Sequence, residues 1–375
     1  MIHSLCQLYD ILSRVLSLLF NLPLGFYGIF LLKITAIFLA FRFLQKYRPK
    51  WQAMAYALLF IFTLRLLLFG NPVSWAIYKH LLGPGDIGRR QFGVIKGERY
   101  KYEPKPANVD YLAVGSSQTY AIYQNYAKQD EHFRIFSMPG LGPLEILLYR
   151  NYIKHYKPRH ILLYLSEFDM AREPAFDAAK LAPAQRFYIF SLFRKLSMLL
   201  KSSEANLFFK ELMVGEVLPE YKYAFVFRGI TDKLMGKNEA LGIRNITEIS
   251  DREYLRIQLD NLGKNLKAEF IRINLALLRD FITFCGRENI HLIIVEGQYN
   301  PQAYTEQNRR MNRIVSRDLG SLASEFEYVT FLPRSAIFEF LEDDYRDGYH
   351  VKKEMGERFT KALIGYLESL SHDNA

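Results

Sequence analysis

Cysteine is scarce in this 375-residue chain, which has only 2 copies, Cys6 and Cys285. So few cysteines support neither a disulfide framework nor a zinc site. Histidine, cysteine and carboxylate residues nowhere follow the spacing of a metal site, and the sequence has no internal repeat or low-complexity tract. We therefore expect no bound metal.

A compact basic stripe is also missing, although the formal net charge is +10. Basic residues interleave with acidic ones through most of the chain, and no nucleic-acid-binding motif accompanies them. We expect no nucleic-acid partner. The positive excess instead favours attraction to an anionic membrane surface or to a polyanionic cell-surface polymer.

Two apolar stretches within residues 1–70 predict a membrane anchor. Leu24–Leu44 has the length that a bilayer-spanning helix needs, and Gln52–Phe69 is a second, slightly shorter candidate. The loop between them, QKYRPKW, carries three basic residues, which indicates the cytoplasmic side. The second span then leads outward, so we expect a protein of the cell membrane whose chain after residue 70 is extracytoplasmic.

The anchor leaves two alternatives open. Leu5–Phe20 is apolar but carries Asp10 and Arg14, so it is either an interfacial amphipathic helix or a third, short span. Lys33 and Arg65 lie within the predicted spans. Charges at such positions either snorkel or pair between the spans, or they contact the helices of a membrane partner.

The remaining chain predicts a connector at residues 71–109, rich in glycine and proline, and then an α/β domain at residues 110–372. Strands alternate with helices in this domain, which indicates a parallel sheet with helices on both faces. A helical insertion at about 172–265 interrupts the alternation. The predicted strands are Tyr111–Val114, Phe133–Met138, Ile161–Leu165, Leu292–Val295 and Phe326–Leu332. The predicted helices are Pro143–His155, Leu275–Cys285, 304–318 and Glu354–Leu370.

The stretch Asp110–Tyr120, DYLAVGSSQTY, is the strongest candidate for a functional turn. An apolar strand stops at Gly115, and two serines follow, Ser116 and Ser117. In open α/β sheets, ligands bind at the carboxyl edge of the strands, which is where this turn presents a hydroxyl.

A serine needs a base to become a nucleophile, and that base is usually a histidine oriented by a carboxylate. His350 follows Asp347 in the turn Asp-Gly-Tyr-His, just before the last predicted helix. At this spacing the Asp347 carboxylate can reach the imidazole Nδ1 and leave Nε2 for Ser117. Asp169 and Asp344 are the rival carboxylates, and Glu296 ends a strand at the same edge of the sheet.

These motifs resemble those of the SGNH/GDSL hydrolase superfamily, over roughly residues 108–170 and 290–370. The family's Gly-Asp-Ser block is similar to Gly115–Ser117, and its final Asp-x-x-His block is similar to Asp347–His350. The resemblance implies a three-layer, flavodoxin-like α/β fold and a catalytic triad of Ser117, His350 and Asp347, which needs no cofactor.

The resemblance also implies an oxyanion hole formed by the backbone N–H groups of Ser117 and Gly142, with Gly140 as the alternative to Gly142. The family's next block contains an asparagine that binds the oxyanion, and Phe168 stands at that position here. A phenyl ring donates no hydrogen bond, so Gln118 or Gln298 would have to supply a third donor.

The anchored architecture resembles bacterial SGNH proteins that act beside membrane-bound O-acyltransferases. The resemblance implies an extracytoplasmic acyl-ester hydrolase or O-acyltransferase that modifies a cell-surface glycan or lipid-linked polymer. Its expected partners are the lipid bilayer and a membrane-bound O-acyltransferase. The alternative is a binding or assembly component of the same acylation complex that kept the fold but lost catalysis.

Overall fold

The computed structural model describes residues 35, 38–39, 42, 49–68, 109–174 and 266–373. The chain divides into two compact units. One comprises Met1–Pro104 and Phe176–Arg244, and the other comprises Lys105–Ala175 and Asn245–Ala375. The expected connector and insertion lie almost wholly outside the described residues, so the domain bounds stay a prediction.

In the first unit the structure describes helix α1 at Pro49–Leu68. It overlaps the expected span Gln52–Phe69, whereas Leu24–Leu44 is described only at four helical positions and Leu5–Phe20 lies outside the described residues. A search of the residues that the structure does describe finds no helix long and apolar enough to cross a membrane. The anchor therefore stays a prediction.

The second unit is built on a five-stranded sheet in the order β2-β1-β3-β4-β5, in which every neighbouring pair is parallel. The expectation of a parallel α/β sheet is confirmed. The last strand is shorter than predicted, because Val329 N–H donates to Phe326 O over 3.2 Å and closes a turn before the strand begins. The strands are β1 Tyr111–Gly115, β2 Phe133–Ser137, β3 His160–Leu165, β4 His291–Glu296 and β5 Val329–Leu332.

Helices cover both faces of this sheet. On one face, Ala113, Leu162 and Ile293 share an apolar core with helical residues that include Tyr123 and Phe359. The alternate strand residues, such as Leu112 and Leu163, are also fully buried, which explains why the strands are continuous apolar runs. The helices are α2 Ser117–Tyr123, α3 Tyr126–Gln129, α4 Pro143–Lys154, α5 Glu167–Ala171, α6 Ala268–Arg287, α7 Glu306–Ala323 and α8 Lys353–Asp373.

This strand order places β1 between β2 and β3, where the direction of winding reverses. Such a switch point opens a crevice at the carboxyl ends of the strands. Helix α2 starts immediately after β1, and α8 packs against α2. The approach is close, because a Cβ atom on Gly356 would lie 2.6 Å from Ile122 O. The first turn and the last helix of the unit are thus brought together.

Candidate active site

Ser117, His350 and Asp347 form a continuous line of hydrogen bonds. His350 Nε2 lies 2.9 Å from Ser117 Oγ. On the other side of the ring, His350 Nδ1 lies 2.9 Å from Asp347 Oδ2 and 3.0 Å from Oδ1. The structure thus brings together the three side chains that the sequence analysis singled out, 233 residues apart in the case of the serine and the histidine.

Gly115 makes the turn that presents Ser117. Its φ of 154° lies outside the range that side-chain-bearing residues adopt readily. A Cβ atom here would collide with Thr119 Oγ1 and lie 3.3 Å from Tyr164 O. Ser116 then caps helix α2, because its hydroxyl accepts a hydrogen bond from Gln118 N–H over 3.4 Å. Ser117 follows as the first residue of the helix, so its N–H has no intrahelical acceptor.

The Asp347 carboxylate orients the imidazole from within its own turn. Its Oδ1 also accepts hydrogen bonds from the backbone N–H groups of Tyr349 at 2.9 Å and His350 at 2.8 Å. Burial acts to raise the pKa of Asp347, but the hydrogen bonds from His350 and the two backbone groups outweigh it and leave the pKa lowered. Asp347 is therefore ionised at neutral pH, as the partner of an imidazolium must be.

The rival carboxylates serve other purposes. Asp344 Oδ2 accepts a hydrogen bond from Leu341 N–H over 2.7 Å, so it caps a short turn. Asp169 Oδ2 accepts hydrogen bonds from the N–H and the hydroxyl of Ser166, at 3.1 and 2.6 Å. Glu296 is buried and accepts from Asn312 Nδ2 over 3.1 Å. None of these three carboxylates has a hydrogen bond to His350 among the described residues.

Gly142, the second expected oxyanion donor, follows β2 and precedes α4, at the same edge of the sheet as Ser117. Its N–H donates to the buried Glu145 carboxyl, with 2.9 Å to Oε2. An oxyanion would have to compete with Glu145 for this N–H. The alternative residue, Gly140, has a φ of 63°, and its carbonyl accepts a hydrogen bond from Arg172 Nη2 over 2.6 Å.

Arg172 is a residue of this region that the sequence analysis missed. A Cβ atom on Gly142 would lie 3.3 Å from Arg172 Nη2. The guanidinium carbon also lies 5.3 Å from the centre of the Phe168 ring, in a cation–π contact. A cation thus stands beside Phe168, at the position where the resemblance implies an asparagine. The sequence signal, an arginine three residues after Asp169, has no known motif behind it.

Phe168 belongs to an aromatic cluster next to the base. Its ring meets Tyr299 edge to face at 6.2 Å, and Tyr304 and Tyr349 complete the packing. Tyr349 in turn contacts the His350 ring edge to face at 5.4 Å. This side of the site is therefore lined by aromatic rings, which suit an acyl chain or the face of a sugar ring.

Both glutamines that were expected to supply a third donor bond backbone carbonyls instead. Gln118 Nε2 donates to the backbone carbonyls of Gln298 and Tyr349, at 3.3 and 3.2 Å. Gln298 Nε2 donates to Phe338 O over 3.1 Å. Both amides are buried and hold the backbone of neighbouring loops. Because both N–H groups of the Gln118 amide are already bonded, the expectation is wrong for Gln118.

A separate polar network lies buried at the ends of β3 and β4. Asn312 Nδ2 lies 3.3 Å from Glu167 Oε2 and 3.1 Å from Glu296 Oε1, and Asn312 Oδ1 accepts from Arg334 Nη2 over 2.5 Å. Burial raises the pKa of Glu167 to about 7, despite the opposing hydrogen bond from Asn312. Among the described residues, no group of histidine, cysteine and carboxylate side chains has the arrangement of a metal site.

Comparison with known proteins gives no family. No family model matches the chain, and no curated protein matches it. Two solved structures are similar in part: a protein from Streptococcus pneumonia provisionally described as a platelet activating factor, and an acylhydrolase, also provisionally described, from Bacteroides fragilis. The first has 11% identity, a TM-score of 0.38, and covers 80% of this chain and 100% of its own. The second has 8% identity, a TM-score of 0.37, and covers 74% and 94%. Likeness at this level carries no argument about activity.

Proposed function

We propose that the chain is a serine acyl-ester enzyme of the SGNH type, either a hydrolase or an O-acyltransferase. The observation that carries the proposal is the line of hydrogen bonds from Asp347 through His350 to Ser117. It stands at the carboxyl edge of a parallel sheet, where α/β proteins bind ligands. A nucleophile, a base and an orienting carboxylate are the groups that acyl transfer through serine needs.

In the first half-reaction, Ser117 Oγ attacks the acyl carbonyl carbon while His350 Nε2 takes the hydroxyl proton. The carbonyl π electrons move onto oxygen, and the N–H of Ser117 donates to the resulting oxyanion. The tetrahedral intermediate then collapses and breaks the bond to the leaving oxygen. That oxygen takes the proton from His350 and departs as an alcohol, so the acyl group remains on Ser117 as an ester.

In the second half-reaction, water or an acceptor hydroxyl gives its proton to His350, and its oxygen attacks the acyl carbon. Ser117 Oγ leaves and takes the proton back from His350. With water the product is a carboxylic acid, and with a sugar hydroxyl it is a new ester. The aromatic cluster around Phe168 favours a substrate that places an acyl chain or the face of a sugar ring against these side chains.

A fluorophosphonate probe tests the nucleophile directly, because it reacts with activated serines. We expect labelling of the wild-type chain, loss of labelling in Ser117→Ala, and retained labelling in Ser116→Ala, the adjacent matched control. Circular dichroism of each variant checks that it is folded. A folded wild-type chain that takes up no probe would sink the proposal.

A second candidate function is a binding or assembly component of a cell-envelope acylation complex. Two observations favour it: Phe168 donates no hydrogen bond, and the N–H of Gly142 is held by Glu145. Loss of one oxyanion donor typically costs a rate factor of about 10²–10³. If this function is correct, Ser117→Ala and His350→Ala variants will still support acylation in cells, whereas an enzyme would lose it.

The proposed setting is the cell membrane, with the α/β unit extracytoplasmic and a surface glycan or lipid-linked polymer as substrate. It rests on the basic loop QKYRPKW between two apolar stretches and on the net charge of +10. Protease added to intact spheroplasts should cleave the α/β unit but not a cytosolic marker. Co-purification with a multi-span O-acyltransferase, lost when residues 1–70 are exchanged for an unrelated anchor, would support the proposed partner.

A further inference from the structure

Gln118 connects the turn that carries the nucleophile to the turn that carries the base. Its side chain is only 5% exposed. The amide Nε2 lies 3.2 Å from Tyr349 O and 3.3 Å from Gln298 O. Gln118 directly follows Ser117, and Tyr349 directly precedes His350. One amide group thus ties both catalytic turns together without involving any reacting atom.

The third loop in this arrangement is itself firmly held. Gln298 N–H donates to the Tyr164 hydroxyl over 2.6 Å. The Gln298 side chain donates to Phe338 O over 3.1 Å and accepts from Phe340 N–H over 2.8 Å. Because Gln298 is fixed to β3 and to the segment before the base, its carbonyl is a stable point of attachment for Gln118.

The hydrogen bond between Ser117 and His350 cannot hold the base turn throughout the reaction. Once Ser117 Oγ is esterified it has no proton to donate, and His350 Nε2 must instead accept the proton of the second hydroxyl. At that stage the contacts that join the nucleophile turn to the base turn include the amide of Gln118, which is chemically unchanged. Asp347 orients the ring but belongs to the same turn as His350, so it does not anchor that turn to β1.

We propose that Gln118 is a positioning residue that keeps the His350 turn in place while Ser117 is acylated, and that it thereby controls the second half-reaction. This inference rests on the proposed function. It predicts an asymmetric effect: acylation still benefits from the Ser117–His350 hydrogen bond, whereas deacylation depends on the Gln118 amide. A merely structural buried amide would instead slow both steps alike, or neither.

The test is the pre-steady-state hydrolysis of p-nitrophenyl acetate by the full-length Gln118→Met variant, which keeps the side-chain size but removes both hydrogen bonds. We expect the burst rate to fall by less than about threefold and the steady-state rate by about tenfold or more, as the loss of two buried hydrogen bonds implies. The acyl-enzyme should therefore accumulate and be detectable by intact mass. Gln129→Met is the matched control, because that exposed amide bonds only Glu357 Oε1 among the contacts described, over 3.2 Å.

The outcomes separate the two proposals. A wild-type chain that neither hydrolyses the ester nor forms an acyl adduct overturns the proposed function and this inference with it. A wild-type chain that turns over, with a Gln118→Met variant whose two rates fall equally or not at all, overturns the inference alone. If Gln118→Met does not fold, Gln118→Asn replaces it, since the shorter amide cannot span both carbonyls. An equal fall of the burst rate and the steady-state rate in Gln118→Asn would likewise overturn the inference alone.

Discussion

The backbone N–H of Gly142 donates to Glu145 Oε2 over 2.9 Å. This relationship makes Glu145 a competitor for the second donor of the proposed oxyanion hole. Hydrogen bonds to a charged acceptor are roughly twice as strong as neutral ones, and a carboxylate also repels a nearby oxyanion. The contact can therefore be tested by changing the charge of one side chain.

We predict that Glu145→Gln raises the rate of fluorophosphonate labelling by about two- to tenfold, because a neutral amide releases the Gly142 N–H more readily. The measurement is the second-order labelling rate at pH 7.5. Glu288→Gln is the control, since Glu288 pairs with Lys154 at the other end of helix α4, over 2.6 Å. An unchanged or slower rate would mean that Gly142 is not an oxyanion donor.

We expect Arg172 to affect the rate of fluorophosphonate labelling more than the stability of the fold. Arg172→Met removes the hydrogen bond to Gly140 O and the cation beside Phe168, so we expect labelling to slow by about tenfold, the scale of one charge-assisted hydrogen bond. The labelling rate of Arg172→Lys should lie between those of wild type and Arg172→Met, because the lysine keeps the positive charge but lacks the planar fork of a guanidinium.

The control for Arg172 is Arg279→Met, which breaks an exposed pair with Glu325 and should leave the free energy of unfolding nearly unchanged. Labelling kinetics and thermal unfolding are measured for all three variants. Equal labelling rates in wild type and Arg172→Met would exclude a role for the guanidinium.

Gly115 should tolerate no side chain. Gly115→Ala combines an unfavourable φ of 154° with a collision against Thr119, so we expect a loss of about 1–3 kcal/mol in unfolding free energy. The displaced turn should also abolish labelling of Ser117. Gly365→Ala is the matched control. A Cβ atom added at this position of α8 meets no neighbouring atom within 4 Å, so the variant should gain up to about 1 kcal/mol in unfolding free energy. Denaturant titration gives both values, and similar stabilities for the two variants would contradict the prediction.

Glu167 should make the stability of the α/β unit depend on pH. Its pKa is raised to about 7 in the folded chain, so between the ordinary value of 4.5 and 7 the folded state holds a proton that the unfolded state releases. Stability therefore falls as the pH rises through this window, by about 1–3 kcal/mol. Glu167→Gln should remove this slope and be the more stable form at pH 8. Denaturant titrations at pH 5 and pH 8 give the free energy of unfolding. The prediction is refuted if this free energy changes equally between the two pH values in wild type and in Glu167→Gln.

The sequence was sufficient to predict the parallel α/β sheet, because strands buried on both faces read as short apolar runs between helical patterns. The predicted bounds of β4 were close for the same reason, and those of helix α8 were close because its apolar residues recur with helical spacing. The start of β5 was wrong, since Phe326 is as apolar as a strand residue and only the turn hydrogen bond to Val329 shows otherwise. The membrane anchor stays a prediction.

The site residues could be predicted only where their spacing along the sequence determines how their side chains are arranged. The turn from Asp347 to His350 is local, and Ser117 stands at the end of a strand, so all three could be named in advance. The partners of Gln118 could not, because Tyr349 is 231 residues away and a glutamine carries no directional signal in sequence. Glu145 and Arg172 were missed for a related reason. Both form hydrogen bonds with the backbone of glycines, and no sequence motif predicts such contacts.

The close approach of Gly356 to Ile122 has a consequence for the timing of activity. Ser117 lies after the first strand of the sheet, whereas His350 and helix α8 come at its very end. A chain that is still being synthesised thus carries its nucleophile for more than two hundred residues without a base. In the proposed mechanism Ser117 gains its base only when helix α8 docks on α2, so we expect a C-terminally truncated chain to take up no fluorophosphonate.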